Sequence, residues 1–305
     1  MALGIGAIIG TGVFVLIGTA TVGTPSRPGA GPGIVLSFLA SGVVCALAAL
    51  CYAEFTSMMP VAGSAYSYTY ASLGEIVAWL TGWNLILEYG VASAVVAIGW
   101  SGYCVNVLQA LGISLPEALV HPPEVGTVGL INLPAVIISL LMMLLLFVGT
   151  KRSAQVTSII VGIKLVVIVF FLVVGAGEVN TAHWSPFLPK GWSGVGAAAA
   201  IVFFAYIGFD AVSTAAEEAK HPQRDLPLAI LGSLGFCLVL YMAVAVVLTG
   251  IVPVDRIDIH APVAEALQQI GYPWGSVLVA VGALAGITSV LLVIFSFGQL
   301  NSFAA

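Results

Sequence analysis

Long apolar stretches alternate with short segments rich in proline, glycine or charge along the whole chain. A helix needs about 20 apolar residues to cross a bilayer, and stretches of that length mark membrane-spanning helices. The pattern predicts eight such helices, numbered here as spans 1 to 8, at residues 3–22, 33–58, 76–111, 131–149, 154–176, 195–216, 228–252 and 274–300. Span 3 exceeds the bilayer thickness, so we expect it to tilt or to extend into water near residues 103–111.

Composition supports a membrane protein. Of the 305 residues, 60% are hydrophobic and 7% are charged, and the mean hydropathy is +1.15, which excludes an ordinary soluble domain. The net charge of −5 comes from 13 acidic and 8 basic side chains. These are spread thinly, so no basic patch is available for nucleic acid. No low-complexity linker divides the chain, and we predict one membrane domain over residues 1–305.

The four cysteines lie within apolar runs and show no metal-ligand spacing. We therefore expect no disulfide, no metal and no cofactor. Apolar residues follow Met1 at once, and the chain stops directly after span 8. From this we expect both ends to be cut ends of a longer protein.

Basic residues in the loops set the expected orientation. With the N-terminus in the cytoplasm, the inner loops hold Lys151, Arg152, Lys220 and Arg224, and the outer loops hold Arg27, Lys190 and Arg256. The pair at 151–152 lies in a very short loop, which favours this orientation.

Span 1 is interrupted by four glycines, at Gly4, Gly6, Gly10 and Gly12. Each weakens a helix by about 1 kcal/mol relative to alanine, so the backbone could unwind here. Free backbone groups are tolerated in a membrane where they line a cavity, and the free N–H groups of a half-helix can hold a carboxylate. A glycine face for close helix packing is an equally supported interpretation.

Span 6 carries a second interruption, where Gly208 and Asp210 lie in an apolar run. We expect the helix to continue from there to Glu217 and Glu218. Breaks at corresponding points of spans 1 and 6 are typical of a five-helix unit repeated in inverted topology. Residues 1–176 would form the first repeat, and residues 195–300 would form the first three helices of the second.

Lys164 lies near the middle of span 5, too deep to reach the interface easily. Placing such a charge at mid-membrane costs about 3 kcal/mol, so an ionisable residue there indicates a function. Burial disfavours the charged form of an amine. We therefore expect Lys164 to gain and lose a proton during a transport cycle.

Two carboxyl groups also fall within spans. Glu88 in span 3 could face a substrate cavity, carry a proton, or be hydrogen-bonded in its neutral form. Asp210 in span 6 could take a direct part in function or stabilise the helix break as a hydrogen-bonded helix-end residue. The two interpretations of Asp210 are equally supported.

An intramembrane enzyme is not favoured. Ser101 and Ser193 each lie in a G-W-S-G string, but all four histidines fall in loops. Neither serine therefore has a general base within its span. Asp210 is the only aspartate in a span, which excludes an aspartyl pair.

Several strings resemble the amino acid, polyamine and organocation (APC) superfamily of permeases, and within it the bacterial relatives of the cationic amino acid transporters. They are GAIIGTGVF at 6–14, YAEF at 52–55, PVAGSAY at 60–66, FAYIGFD at 204–210 and EEAKHPQRDLP at 217–227. The resemblance implies an all-α, LeuT-like inverted-repeat fold with about eight of twelve helices present and with spans 1 and 6 discontinuous. It also implies proton-coupled, alternating-access uptake of L-amino acids by a multi-pass protein of the plasma (inner) membrane.

The resemblance assigns roles to matching residues. Thr11 and Gly12 would bind the substrate carboxylate. The substrate ammonium would be held by the backbone carbonyls of Ile8, Phe204, Ala205 and Ile207, and the Phe204 ring would be a gate. Lys164 matches a lysine that, in proton-coupled members, stands where sodium-coupled relatives hold an ion.

Neutral residues around Phe204 and Ile207 favour a broad range of neutral amino acids as substrates. One alternative is a cationic amino acid uniporter or exchanger, because Glu88 matches an acidic residue of the cationic branch. A second is a non-transporting membrane receptor on the same fold.

Overall fold

The computed structural model describes residues 1–59, 61, 63–122, 129–148, 154–213 and 221–304. Its α-helices are α1 (Ala2–Ile8), α2 (Ile17–Val22), α3 (Ile34–Met58), α4 (Ser64–Leu73), α5 (Glu75–Ala110), α6 (Leu133–Val148), α7 (Ala154–Ala176), α8 (Gly191–Val202), α9 (Pro222–Ile251), α10 (Pro262–Gln269) and α11 (Pro273–Ala304). Two short antiparallel strands, β1 (Gly23–Thr24) and β2 (Arg27–Pro28), follow α2.

Among the described residues, six helical segments are long and apolar enough to cross a membrane, and they correspond to spans 2, 3, 5, 6, 7 and 8. Spans 1 and 4 correspond to the shorter apolar helices Gly12–Val22 and Leu133–Leu146. Large apolar side chains are exposed on the outside of the helices, such as Leu87 (66%) and Val173 (70%), as suits surfaces that face lipid tails. The prediction of an all-α, polytopic membrane protein is confirmed.

Both predicted helix breaks are present. In span 1, α1 ends at Ile8, Ile9 is extended, and a π-helical turn at Gly12–Leu16 leads into α2. In span 6, α8 ends at Val202, and a 3-10 turn at Phe203–Tyr206 leads to an extended Ile207.

The chain turns next at Gly208, whose φ of +110° only glycine adopts readily. Regular α-helix in span 6 therefore ends at Val202, before the interruption that the sequence predicts at Gly208 and Asp210. The expected helical residues Glu217 and Glu218 lie outside the described residues, as do Pro60, Ala62, Lys151, Arg152 and Lys220 of the sequence analysis.

The sequence pattern missed α4 and α10, because both are too short or too polar to register as membrane spans. Helix α10 begins with Pro262 in its first turn, where the missing N–H costs nothing. Its buried residues Val263, Ala264 and Leu267 share one face. It is therefore an amphipathic helix that lies against the ends of the spans.

Helices of corresponding number in the two predicted repeats pack on one another. The most extensive contacts join α3 of span 2 to α9 of span 7, and α5 of span 3 to α11 of span 8. Hydrogen bonds also link neighbouring helices: Ser37 Oγ donates to the Val195 carbonyl at 2.9 Å, and Ser41 Oγ donates to the Ala199 carbonyl at 2.7 Å. This packing brings the breaks of spans 1 and 6 together in the interior.

Candidate functional site

The two breaks touch through glycines. Gly12 of span 1 lies so close to Ala205 of span 6 that an added methyl group would collide with it. Gly208 lies against the Ala7 carbonyl, where a methyl carbon would approach the oxygen to 3.0 Å. The glycines therefore allow two backbones to meet where side chains would keep them apart.

A narrow cavity lies between the breaks. Its volume of about 20 Å³ leaves room for roughly one water molecule. All six residues predicted to bind substrate line it: Ile8, Thr11, Gly12, Phe204, Ala205 and Ile207. Further lining comes from Ala7 of α1, Ala92 and Val96 of α5, and Val290 and Ile294 of α11. No charged side chain lines it among the described residues.

The hydroxyl of Thr11 is an unusual feature of this cavity. Thr11 is 2% exposed, and its Oγ1 has no hydrogen-bond partner within the described part of the chain. A buried hydroxyl left unbonded costs about 1–3 kcal/mol. The π-helical turn Gly12–Leu16 starts directly after Thr11, and N–H groups at the start of a helix lack intrahelical acceptors, although the N–H of Phe14 donates to the Gly10 carbonyl at 3.3 Å. Together these groups form a set of donors suited to a carboxylate.

Lys164 of α7 forms hydrogen bonds with the backbone at the break of span 1. Its Nζ donates hydrogen bonds to the carbonyls of Gly6 at 2.7 Å and Ile9 at 2.9 Å, and the side chain is 0% exposed. These carbonyls lie where α1 ends, so they lack a donor from a following helical turn. Lys164 on α7 is thus bonded directly to the unwound backbone.

Tyr241 of α9 is a site residue that the sequence analysis missed. Its hydroxyl lies 2.8 Å from the Ile8 carbonyl and 3.2 Å from the Ala205 carbonyl, and it donates toward both. The single hydroxyl hydrogen is shared between two acceptors. The resemblance had given these two carbonyls to the substrate ammonium. A buried tyrosine in a span is the signal that could have found it, since its hydroxyl needs a partner.

The two carboxyl groups of the sequence analysis do not line the cavity. The Asp210 carboxyl is buried, accepts a hydrogen bond from the Tyr89 hydroxyl at 2.8 Å, and faces the backbone N–H groups of Gly208 and Ala211. Glu88 lies on an exposed face of α5. Tyr89, like Tyr241, was missed from the sequence.

The two serines of the enzyme hypothesis bond to groups other than histidine. Ser101 Oγ donates to Asn132 Oδ1 at 2.6 Å, and Ser193 Oγ donates to the Lys190 carbonyl at 2.8 Å. Within the described part of the chain, no group of three His, Cys, Asp or Glu side chains could hold a metal ion.

A second cavity, of about 700 Å³, lies among the loops predicted to be outside. Glu265 of α10 lines it and accepts a hydrogen bond from Asn106 Nδ2 at 2.5 Å. Burial raises the pKa of the Glu265 carboxyl above its ordinary value, and the nearby Asp258 adds to the effect. This cavity is separate from the one between the breaks, with which it shares no lining residue.

Compared with known families, the chain matches the amino acid permease family over residues 1–305. The chain belongs to the amino acid permease family. It is therefore a member of the APC superfamily and a multi-pass membrane protein, and its family is one of transporters rather than of intramembrane proteases.

Known transporters resemble this chain along nearly its whole length. It is 48% identical over 300 residues to the branched-chain amino acid permease BcaP of Bacillus subtilis, covering 97% of this chain and 63% of that protein. It is 46% identical over 290 residues to the methylthioribose transporter of the same organism, covering 95% and 62%. With the chloroplastic cationic amino acid transporter 9 of Arabidopsis thaliana it shares 43% identity over 296 residues, covering 95% and 51%. The chain thus spans less than two thirds of the length of these relatives.

Proposed function

We propose that the permease takes up L-amino acids by proton-coupled alternating access, with a broad preference for neutral substrates. The observation that carries the proposal is the bond between Lys164 and the unwound backbone of span 1. A charged Lys164 is a strong donor that holds two carbonyls of this backbone, and a neutral Lys164 is a weaker one. Loss of the proton would therefore loosen the break beside the cavity.

Substrate binding would use the groups around the cavity. Thr11 Oγ1 and the N–H groups at Gly12 would take the carboxylate. The carbonyls of Ile8, Phe204, Ala205 and Ile207 would take the ammonium, with the Tyr241 hydroxyl giving way to it. A cavity of about 20 Å³ is too small for an amino acid, so entry requires the breaks to separate, with Phe204 as the gate.

Neutral substrates are supported by the apolar cavity lining and by the branched-chain amino acid permease BcaP among the relatives. Transport of cationic amino acids is the second candidate. It is favoured by the relatives named cationic amino acid transporters and would need Glu88, now on an exposed face of α5, to reach the substrate side chain. One relative is named a methylthioribose transporter, so the named substrate of a relative of this chain need not be an amino acid.

We further propose that residues 1–176 and 195–300 are inverted repeats within one membrane domain. The pairing of span 2 with span 7, of span 3 with span 8, and of the two breaks with each other supports this arrangement. Residence in the plasma (inner) membrane, with the N-terminus inside, completes the proposal.

The test is uptake into proteoliposomes that contain the permease expressed from its complete gene. Labelled alanine and labelled arginine would be compared with and without an inward proton gradient, for wild type and Lys164→Ala. The exposed Lys190→Ala is the control for loss of a lysine. Gradient-driven alanine uptake that only Lys164→Ala loses is the expected result. Uptake indifferent to the gradient and to Lys164 would refute proton coupling, and preference for arginine would refute neutral specificity.

A further inference from the structure

Tyr89 lies on α5 one helical turn from the cavity wall. Ala92 and Val96, which line the cavity, follow Tyr89 at the third and seventh positions along α5, so the three residues share a face. Tyr89 is 5% exposed, and its hydroxyl donates to Asp210 Oδ2 at 2.8 Å. Helix α5 is thereby tied to the break of span 6.

Asp210 is the link between Tyr89 and the backbone of the break. Its carboxyl faces the N–H groups of Gly208 and Ala211, which lie on either side of the turn that follows Ile207. On the other side of the turn, the Phe209 ring packs edge-on against the Tyr52 ring of α3, with 5.6 Å between the ring centroids. The turn is therefore held between α3 and α5, and the tie to α5 is polar.

We propose that Tyr89 is a positioning residue for substrate binding. By bonding to Asp210 it fixes the turn at Gly208, and this turn sets the direction of the Ala205 and Ile207 carbonyls at the cavity. Neither Tyr89 nor Asp210 lines the cavity, so Tyr89 acts through the backbone. The inference rests on the proposed function, because it assigns Tyr89 a role in holding the proposed ammonium-binding carbonyls.

The test compares, in the uptake assay, two variants of α5 that each lose one buried hydroxyl. Tyr89→Phe removes the hydroxyl that bonds Asp210. Ser101→Ala is the control, because Ser101 is also buried on α5 and its hydroxyl donates to Asn132 Oδ1 at 2.6 Å, away from the residues that line the cavity between the breaks. We expect the KM for alanine to rise about five- to tenfold in Tyr89→Phe, with a maximal rate within about twofold of wild type, and to stay unchanged in Ser101→Ala.

A purely structural role for Tyr89 would lower the amount of folded protein and the maximal rate but leave KM alone, and that result would overturn the inference. The Asp210→Asn variant gives a second measure through a double-mutant cycle. If the pair acts together, Tyr89→Phe changes KM less in the Asp210→Asn background than in wild type, whereas additive effects contradict it. Wild-type protein without any uptake would instead refute the proposed function and the inference with it.

Discussion

Both helix breaks leave backbone groups outside regular helix, but the ionisable side chain that holds each break is of the opposite kind. At the break of span 1, the donor Lys164 bonds two carbonyls, and Tyr241 bonds a third. At the break of span 6, the N–H groups around Gly208 face the acceptor Asp210, while Tyr241 also donates to the Ala205 carbonyl. Free carbonyls need a donor and free N–H groups need an acceptor, so the two breaks are held by different side chains.

The partners also differ in where they come from. Lys164 and Tyr241 lie on α7 and α9, so the break of span 1 depends on two other spans. Asp210 belongs to the break that it stabilises and accepts a hydrogen bond from Tyr89 of α5. We infer that the span 1 break responds to rearrangement of α7 and α9, whereas the span 6 break responds to α5 through Tyr89.

Replacement of Lys164 is expected to have the largest effect on the span 1 break. Lys164→Met keeps the apolar stem and removes both hydrogen bonds, leaving the Gly6 and Ile9 carbonyls unbonded at a cost of about 1–3 kcal/mol each. Gradient-driven uptake should fall at least about tenfold, and the thermal midpoint of the purified protein should drop. A variant that keeps gradient-driven uptake would show that the break does not depend on its donors.

Gly208→Ala probes the span 6 break. A side chain at φ +110° is strained and would press on the Ala7 carbonyl, so the free energy of unfolding should fall by about 1–3 kcal/mol. Gly235→Ala on α9 is the control, because its added methyl group meets no atom within 4 Å. Thermal unfolding in detergent measures both. Equal midpoints for the two variants would contradict a strained turn at Gly208.

Much of the fold follows from composition and periodicity, since apolar runs of bilayer length set the spans. The breaks were predictable from the glycines in spans 1 and 6, and Lys164 from the rarity of a charge at mid-membrane. The tyrosine partners were not, because Tyr241 meets Ile8 across 233 residues and Tyr89 meets Asp210 across 121. Only tertiary packing brings such residues together, and it also places the short helices α4 and α10.

Tyr241→Phe tests whether a hydrogen bond to a carbonyl at a helix break contributes more to stability than one to a carbonyl within a helix. The Ile8 carbonyl ends α1 and lacks a helical donor, so loss of the Tyr241 hydroxyl should cost about 1–2 kcal/mol of unfolding free energy. Tyr206→Phe is the control. Its hydroxyl donates at 2.9 Å to the Phe38 carbonyl, which lies within α3 and has its own helical donor. Thermal midpoints should therefore fall less in Tyr206→Phe, and the reverse order would contradict the role given to the free carbonyl.

Glu265 lies away from both breaks, and its replacement is expected to change the free energy of unfolding least among these variants. Asp210 faces several donors, whereas Glu265 has the Asn106 amide and the like-charged neighbour Asp258, and its pKa is raised by burial and by that neighbour. The fold thus disfavours ionised Glu265, so stability present below its ordinary pKa is lost as pH rises through the raised value. Glu265→Gln mimics the neutral form and should gain relative to wild type as pH rises from about 4 to about 8, by less than about 1 kcal/mol because the side chain is partly exposed. Thermal midpoints across this pH range measure the stability difference between Glu265→Gln and wild type. This difference should be smaller in the Asp258→Asn background. A stability difference that does not change with pH would mean that the Asn106 amide alone compensates the charge of Glu265.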